Sequence, residues 1–194
     1  MIRTSTYIPP IEPLVIMQAA FSIEQCDKIR RQVAEQRFID ARVGAGVLDQ
    51  AVRETDLIWL EPSEQTEWVF KHMNDLQARV NFDKFQMALD GFDGFQFSKY
   101  KIDGHYDWHV DTQNNPASGL FRKLSFVLML SNPDDYEGGD FLICPDGNNE
   151  KATRLRLNKG DLLVFYSHIA HKVCPVTSGD RYTLVTWALG PKPQ

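Results

Sequence analysis

The sequence predicts a mostly β protein with flanking helices, the helices packed on one side of an antiparallel sandwich. Two observations carry this. Apolar residues recur at helical spacing within residues 1–93, whereas after Gly94 the chain breaks into short strand-like runs separated by Gly, Pro, Asn and Asp. At 194 residues, with no repeat, low-complexity tract or linker, the chain is long enough for one sizeable core and too short for two. Residues 1–194 therefore read as a single domain, with 1–93 as a helix-and-strand support and 94–190 as the β core.

Taken in order, Ile11 to Ala19 reads as a first strand entered from a proline-rich arm. Ser22-Ile-Glu-Gln25 has the form of a capping box, with Phe21 and Cys26 placed for a hydrophobic staple. The helix it opens is expected to reach about Glu35 and to bury Cys26, Ile29 and Val33. From Ile39 to Glu54 the pattern fades around Gly44, Ala45 and Gly46, and a flap is expected there. Thr55 to Leu60 is a short strand. Pro62 and Ser63 signal a second helix, whose Val69, Met73, Leu76 and Val80 form an apolar stripe that reads as core. Phe82 to Phe92 reads as an aromatic loop.

Strands are then expected over Phe95–Ile102, His105–Asp111, Lys123–Ser131, Gly138–Cys144, Ala152–Leu157, Leu162–Tyr166, His171–Val176 and Arg181–Leu189. Lys123–Ser131 is apolar enough to be buried on both faces. Two helices followed by about eight strands suggest a cupin-like jelly roll, a double-stranded β-helix with the N-terminal helices packed on one sheet.

Composition narrows the function classes. With 43% hydrophobic and 24% charged residues the chain is an ordinary globular one, and its net charge of -5 gives no reason to expect general nucleic-acid or membrane-surface binding. Three scattered cysteines, Cys26, Cys144 and Cys174, argue for small buried residues in a reducing compartment over a disulfide framework. The apolar run Leu14–Phe21 is far shorter than the ~20 residues of a membrane span, and no cleavage pattern follows it. A cytoplasmic protein is expected.

The chemistry gathers around Tyr100-Lys-Ile-Asp-Gly-His-Tyr-Asp-Trp-His109-Val-Asp111. On a strand, residues i and i+2 share a face, so His109 and Asp111 are spaced to hold one metal ion. A third ligand has to come from elsewhere, and His171 is the candidate. Two His and one carboxylate with open opposite positions is the arrangement of non-haem Fe(II) oxygenases. His168 lies an odd number of residues from His171 and should point the other way. His105 shares the face of His109 if the strand is regular, and a solvent-facing role is expected for it; His72 is expected on a helix surface. Tyr106, Trp108 and Trp187 read as core or sheet-face residues, with Trp108 pointing away from the metal. Gly138-Gly139 reads as a bulge or a close backbone approach.

Downstream, His171 and Arg181 flank Pro175 and a Ser178-Gly179-Asp180 turn, and an antiparallel hairpin would carry both into one barrel mouth. Arg181 offers a planar fork for a carboxylate, and Thr183, two residues on, shares its face.

The ordered set Tyr100…Gly104…Tyr106…His109-Val-Asp111, Tyr136-Glu-Gly-Gly-Asp-Phe141, Gly160-Asp161 and His171-x-Val-x-Pro-Val-x-x-Gly-x-Arg181 resembles the prolyl-4-hydroxylase-related Fe(II)/2-oxoglutarate dioxygenases, with the bacterial PKHD-type hydroxylases the closest likeness. The resemblance runs from the first helix to Trp187. Those bacterial proteins usually continue into a further helical segment, which this chain, ending at Gln194, is expected to lack. The resemblance implies Fe(II) bound by His109, Asp111 and His171, and 2-oxoglutarate bound by Arg181 with Tyr100 lining its pocket and Thr183 adding a hydroxyl. It also implies O2 as cosubstrate, ascorbate as a reductant, and release of succinate and CO2 on hydroxylating a peptide or small molecule, with peptidyl proline favoured by the likeness alone. The carboxylate of Asp111 favours hydroxylation over halogenation. Two other readings stand beside it: a jelly-roll Zn or Mn protein of other chemistry, which gives Arg181 and Thr183 no task, and a non-catalytic binding module of the same fold.

Overall fold

The computed structural model describes residues 12–34, 39–41, 52–113 and 118–192. In chain order the elements are β1 (Leu14–Met17), α1 (Ile23–Ala34), β2 (Ile39–Ala41), β3 (Arg53–Trp59), α2 (Glu67–Val80), β4 (Phe92–Tyr100), β5 (His105–His109), β6 (Phe121–Met129), β7 (Tyr136–Gly138), β8 (Phe141–Cys144), β9 (Thr153–Leu155), β10 (Leu162–Tyr166), β11 (Ala170–Val173), β12 (Val176–Gly179) and β13 (Arg181–Gly190). One sheet runs β1-β10-β6-β13-β4-β3, with β2 on β3; the other continues from β3 through β5, β11 and β8 to β9. The pairings are antiparallel, and β3 hydrogen-bonds to β4 along one part of its length and to β5 along another. β7 and β12 form a small separate ribbon.

Strand periodicity places the core in two layers. On β6, Leu124, Phe126 and Leu128 face one hydrophobic cluster while Val127 and Met129 face the other; on β10, Leu162 and Val164 divide in the same way from Leu163 and Phe165. The first cluster is completed by Cys26, Ile29 and Val33 of α1 and by Val69, Met73, Leu76 and Val80 of α2. The second is completed by Phe141, Ile143 and Val173 from the opposing sheet. The central strands are thus buried on both faces, and the helices cover one sheet of a jelly roll.

Local chemistry sets the helix ends. The Ser22 N–H donates to Gln25 Oε1 at 2.7 Å and the Gln25 N–H donates back to Ser22 Oγ at 3.2 Å, closing the capping box. Phe21 and Cys26, on either side of it, are both buried. Gly160 and Asp161 pin this entry. The Phe21 N–H donates to the Gly160 carbonyl at 3.0 Å, and the Ala19 N–H donates to Asp161 Oδ1 at 3.0 Å. At Gly160, with φ +91°, an added Cβ would run into the Phe21 carbonyl.

Several expectations change. The second helix begins at Glu67, after a turn in which Thr66 Oγ1 donates to the Glu61 carbonyl at 2.7 Å. Residues 81–85 form one π-helical turn where a loop is expected from the sequence, because the Asn81 side chain bonds Met87 through both N–H and carbonyl at 2.9 Å. Gly138–Cys144 is two strands, broken after Gly138; His171–Val176 is likewise divided between β11 and β12. Within the stretch expected as a flap, Ile39–Ala41 and Arg53–Glu54 are strand, and residues 42–51 lie outside the described residues. His72 is half-buried, its Nε2 2.8 Å from the Ala20 carbonyl and its ring edge-on to Phe21, so it ties α2 to the chain entering α1. All three cysteines are free thiols. No helix among the described residues is long and apolar enough to cross a membrane.

Candidate metal centre and cosubstrate pocket

β5 and β11 pair with His109 directly opposite His171, which brings two imidazoles together in one sheet. Asp111 follows the end of β5 and is held by its N–H donating to the Ser167 carbonyl at 2.8 Å. Its Oδ1 lies 3.7 Å from His109 Nε2 and its Oδ2 lies 3.5 Å from His171 Nε2. The three ligand atoms fall within 4.8 Å of one another, a spacing that could hold one metal ion. The far ring nitrogens are occupied. His109 Nδ1 sits 2.7 Å from the Asp107 carbonyl and His171 Nδ1 sits 3.0 Å from the Ile169 carbonyl. A carbonyl accepts only, so each Nδ1 carries a proton and each Nε2 is turned toward the cluster.

The electrostatics suit a cation. Burial and the adjacent His171 hold His109 down to about 4, against the pull of Asp111. Burial pushes the Asp111 carboxyl up, but the two imidazoles and the Ser125 hydroxyl, donating to Oδ2 at 2.7 Å, together hold it below the usual carboxylate range. Ser125 is itself 3.0 Å from Ser167, so a fully buried pair of hydroxyls braces the carboxylate from behind.

Arg181 projects into the same cavity from the facing sheet. Strand pairing puts it opposite Tyr100, and its guanidinium lies 5.3 Å from the Tyr100 ring centre. Arg181 is 1% exposed, yet its Nε and Nη2 have no partner. A buried guanidinium with free N–H groups calls for an anion. Thr183, equally buried, lines the cavity beside it, as do Val127, Phe141 and Val185. The cavity holds about 170 Å³. Gly139 makes room for the arginine: a Cβ there would stand 2.9 Å from Arg181 Cδ, at φ +59°. This is the close approach expected at Gly138-Gly139. Arg181 also borders a groove of about 410 Å³. There Arg154 is already paired with Asp140 at 2.6 Å, and the His–Asp–His cluster lies in the smaller cavity.

The structure therefore brings together His109, Asp111, His171, Arg181, Tyr100 and Thr183. It does so differently from the expected hairpin: β11 and β13 belong to facing sheets, and His171 meets Arg181 across the sandwich. His168 is exposed and stacks on Tyr166. A register shift in the β5–β11 pairing, with His171 opposite His109 but Val173 opposite Tyr106, changes the strand parity. Tyr106, expected as a core or sheet-face residue, packs against the second core cluster and also lines the cavity, stacking on His109 at 3.5 Å. Trp187 also lines the cavity. Sequence reasoning missed Ser125, Ser167, Arg53 and Arg122, since none belongs to a spacing motif; the only available signal was a buried strand carrying a serine.

Residues 95–189 match the family model of the 2OG-Fe(II) oxygenase superfamily. A PKHD-type hydroxylase of Maricaulis maris is 30% identical over 176 residues, covering 90% of this chain and 76% of that protein. A PKHD-type hydroxylase of Gloeothece citriformis is 31% identical over 165 residues, covering 84% and 72%. Among solved structures, a Pseudomonas putida prolyl-4-hydroxylase superposes with a TM-score of 0.72 at 20% identity, covering 92% of each chain. A prolyl hydroxylase from Trichoplax adhaerens, in complex with a hypoxia inducible factor peptide fragment, gives 0.73 at 18% identity over 91% of this chain and 83% of that one. These last two likenesses establish the fold.

Proposed function

Because the chain belongs to the PKHD-type hydroxylases of the 2OG-Fe(II) oxygenase superfamily, we propose that it hydroxylates a prolyl residue in a peptide, with His109, Asp111 and His171 holding the iron. The chain is a 2-oxoglutarate-dependent Fe(II) dioxygenase, with Fe(II), 2-oxoglutarate and O2 as its cofactors. The prolyl assignment rests on the fold shared with the two prolyl hydroxylases and on no residue of the cavity. Residues 94–190 are read as the catalytic core and 1–93 as its support, which the packing of both helices on one sheet favours.

The single observation that carries the site assignment is Arg181, a buried guanidinium without a partner in the cavity that contains the His–Asp–His cluster. Its fork would take the distal carboxylate of 2-oxoglutarate in two parallel hydrogen bonds, with the Thr183 hydroxyl beside it and Tyr100 packed against the guanidinium. The two Nε2 lone pairs and the Asp111 carboxylate would occupy one side of the metal and leave the other side for cosubstrates. When bound, iron with 2-oxoglutarate and O2 supplies the oxidising chemistry that converts a C–H bond to an alcohol, with succinate and CO2 as coproducts. The chain fixes geometry, and Val127, Phe141, Val173 and Val185 give the cavity part of its wall as apolar surface. A Zn or Mn protein of other chemistry, or a non-catalytic module, leaves the Arg181 charge without a purpose.

The test is anaerobic addition of Fe(II) and then 2-oxoglutarate, watched for the visible charge-transfer band of the chelate, followed by O2 and proline-containing peptides. The band should appear in the wild type and vanish in His171→Ala, and peptide mass should rise by one oxygen as succinate forms. A band with succinate but no peptide oxidation removes the prolyl assignment. Full activity of Asp111→Ala removes Asp111 from the ligand set.

A further inference from the structure

A second arginine opens onto the same cavity. Arg53, the first residue of β3, is 8% exposed, and its Nε and Nη2 are buried without a partner. Its guanidinium lies 4.6 Å from the Tyr106 ring centre, and Tyr106 in turn stacks on the His109 imidazole. Cation, phenol and imidazole thus form a stack that leads to the metal cluster. Arg53 pairs with Tyr106 across β3 and β5, whereas Arg181 pairs with Tyr100 across β13 and β4, so the two arginines enter the cavity from different strand pairs. One cosubstrate bound by the metal at one end and by Arg181 at the other leaves Arg53 unanswered.

Charge counting leads to the same place. Among the described residues lining the cavity, the fixed charges are Arg53, Arg122, Arg181 and Asp111. Arg122 is satisfied: its Nε donates to Asp93 at 2.6 Å and its guanidinium lies 3.7 Å over the Trp187 ring. Fe(II) and the two carboxylates of 2-oxoglutarate cancel, and Asp111 offsets one of the two remaining arginines. Among the described residues, one buried positive charge is left over. A buried unpaired cation is unfavourable unless a ligand completes it.

We propose that the primary substrate is an acid, and that Arg53 binds its carboxylate on the Tyr106 side of the cavity. For a peptide substrate this means an acidic side chain or a free C-terminal carboxylate near the residue that is oxidised. Arg53 is then a specificity residue, reading the substrate's charge while the metal and Arg181 hold the cosubstrate. This rests on the reading of the site as an Fe(II)/2-oxoglutarate centre.

The test uses the full chain loaded with Mn(II) and 2-oxoglutarate, and calorimetric titration with paired probes. The acids are L-proline and N-acetyl-glycyl-prolyl-glutamate; their partners are prolinamide and the glutamine peptide amide. At least one acid should bind on the order of tenfold or more tightly than its amide, the range expected for a charge-assisted hydrogen bond in a buried site. Arg53→Gln should erase that preference. Arg53→Lys, which keeps the charge but loses the planar fork, should retain part of it, whereas a merely structural role in bracing Tyr106 would leave the acid-to-amide ratio unchanged in all three proteins. The proposal is overturned if no acid in the panel outbinds its amide, or if Arg53→Gln keeps the preference. The charge-transfer band of the Fe(II) and 2-oxoglutarate complex separates the two failures. A band that persists in wild type and Arg53→Gln without any acid preference sinks this inference alone, and a band missing from the wild type sinks the reading of the site beneath it.

Discussion

Replacing Arg181 by Met should make the cofactor-free protein more stable while abolishing its response to 2-oxoglutarate. Arg181 is 1% exposed, and two of its N–H-bearing nitrogens have no partner. Each unsatisfied buried donor costs about 1–3 kcal/mol, so the pair costs about 2–6 kcal/mol. Met follows much the same path past Gly139 and fills similar space without any polar atom to satisfy. For a chain of this size about 1 kcal/mol moves Tm by roughly 2–4 °C, so a rise of about 4 °C or more is expected. The assay is thermal unfolding of protein stripped of metal by a chelator that is then removed, with and without 2-oxoglutarate and Zn(II). In the wild type, ligand at about a hundred times Kd adds roughly 2.7 kcal/mol, and the variant should gain none of it. A variant that melts at or below the wild-type temperature, and still responds to 2-oxoglutarate, would refute the assignment of Arg181 as an unpaired charge awaiting a carboxylate.

Two further outcomes follow from particular contacts. Ser125→Ala removes the hydroxyl that donates to Asp111 Oδ2 at 2.7 Å, so Fe(II) affinity should fall by about 10–100-fold with the fold retained, as read by metal titration; unchanged affinity would make Ser125 a packing residue only. Burial raises the Cys26 thiol from 9.0 to about 11. The unfolded chain therefore loses this proton first, and the contribution, complete below pH 9, declines as pH rises toward 11. Denaturation midpoints across that window should show the decline in the wild type and a smaller one in Cys26→Ala.

Much of the fold is legible in the sequence because it depends on local rules. The capping box at Ser22–Gln25, the stripe Val69-Met73-Leu76-Val80 and the doubly buried strand around Phe126 are each set by periodicity or by a side chain reaching its own backbone. The proposed iron and cosubstrate residues are also legible, since His109 and Asp111 stand two residues apart and His171 and Arg181 stand ten apart, each within a short local motif. Element ends are less so. Where β7 stops and β8 begins depends on Gly138 and Gly139, both at positive φ, accommodating Pro175 between β11 and β12 and Arg181 of β13.

Tertiary structure alone decided how the halves of the site meet. Sequence spacing suggests a hairpin bringing His171 to Arg181, but the two face one another from opposite sheets, because β12 leaves to pair with β7 and β13 enters between β4 and β6. It also decided which aromatic lies against the His–Asp–His cluster. Strict alternation puts His105 on the face of His109, and one register shift against β11 puts Tyr106 there instead. Arg53 and Ser125 were invisible for the same reason. A side chain's distance to partners far along the chain, and whether its hydrogen bonds are satisfied, is fixed by strand register and sheet closure, which no local pattern of residues encodes.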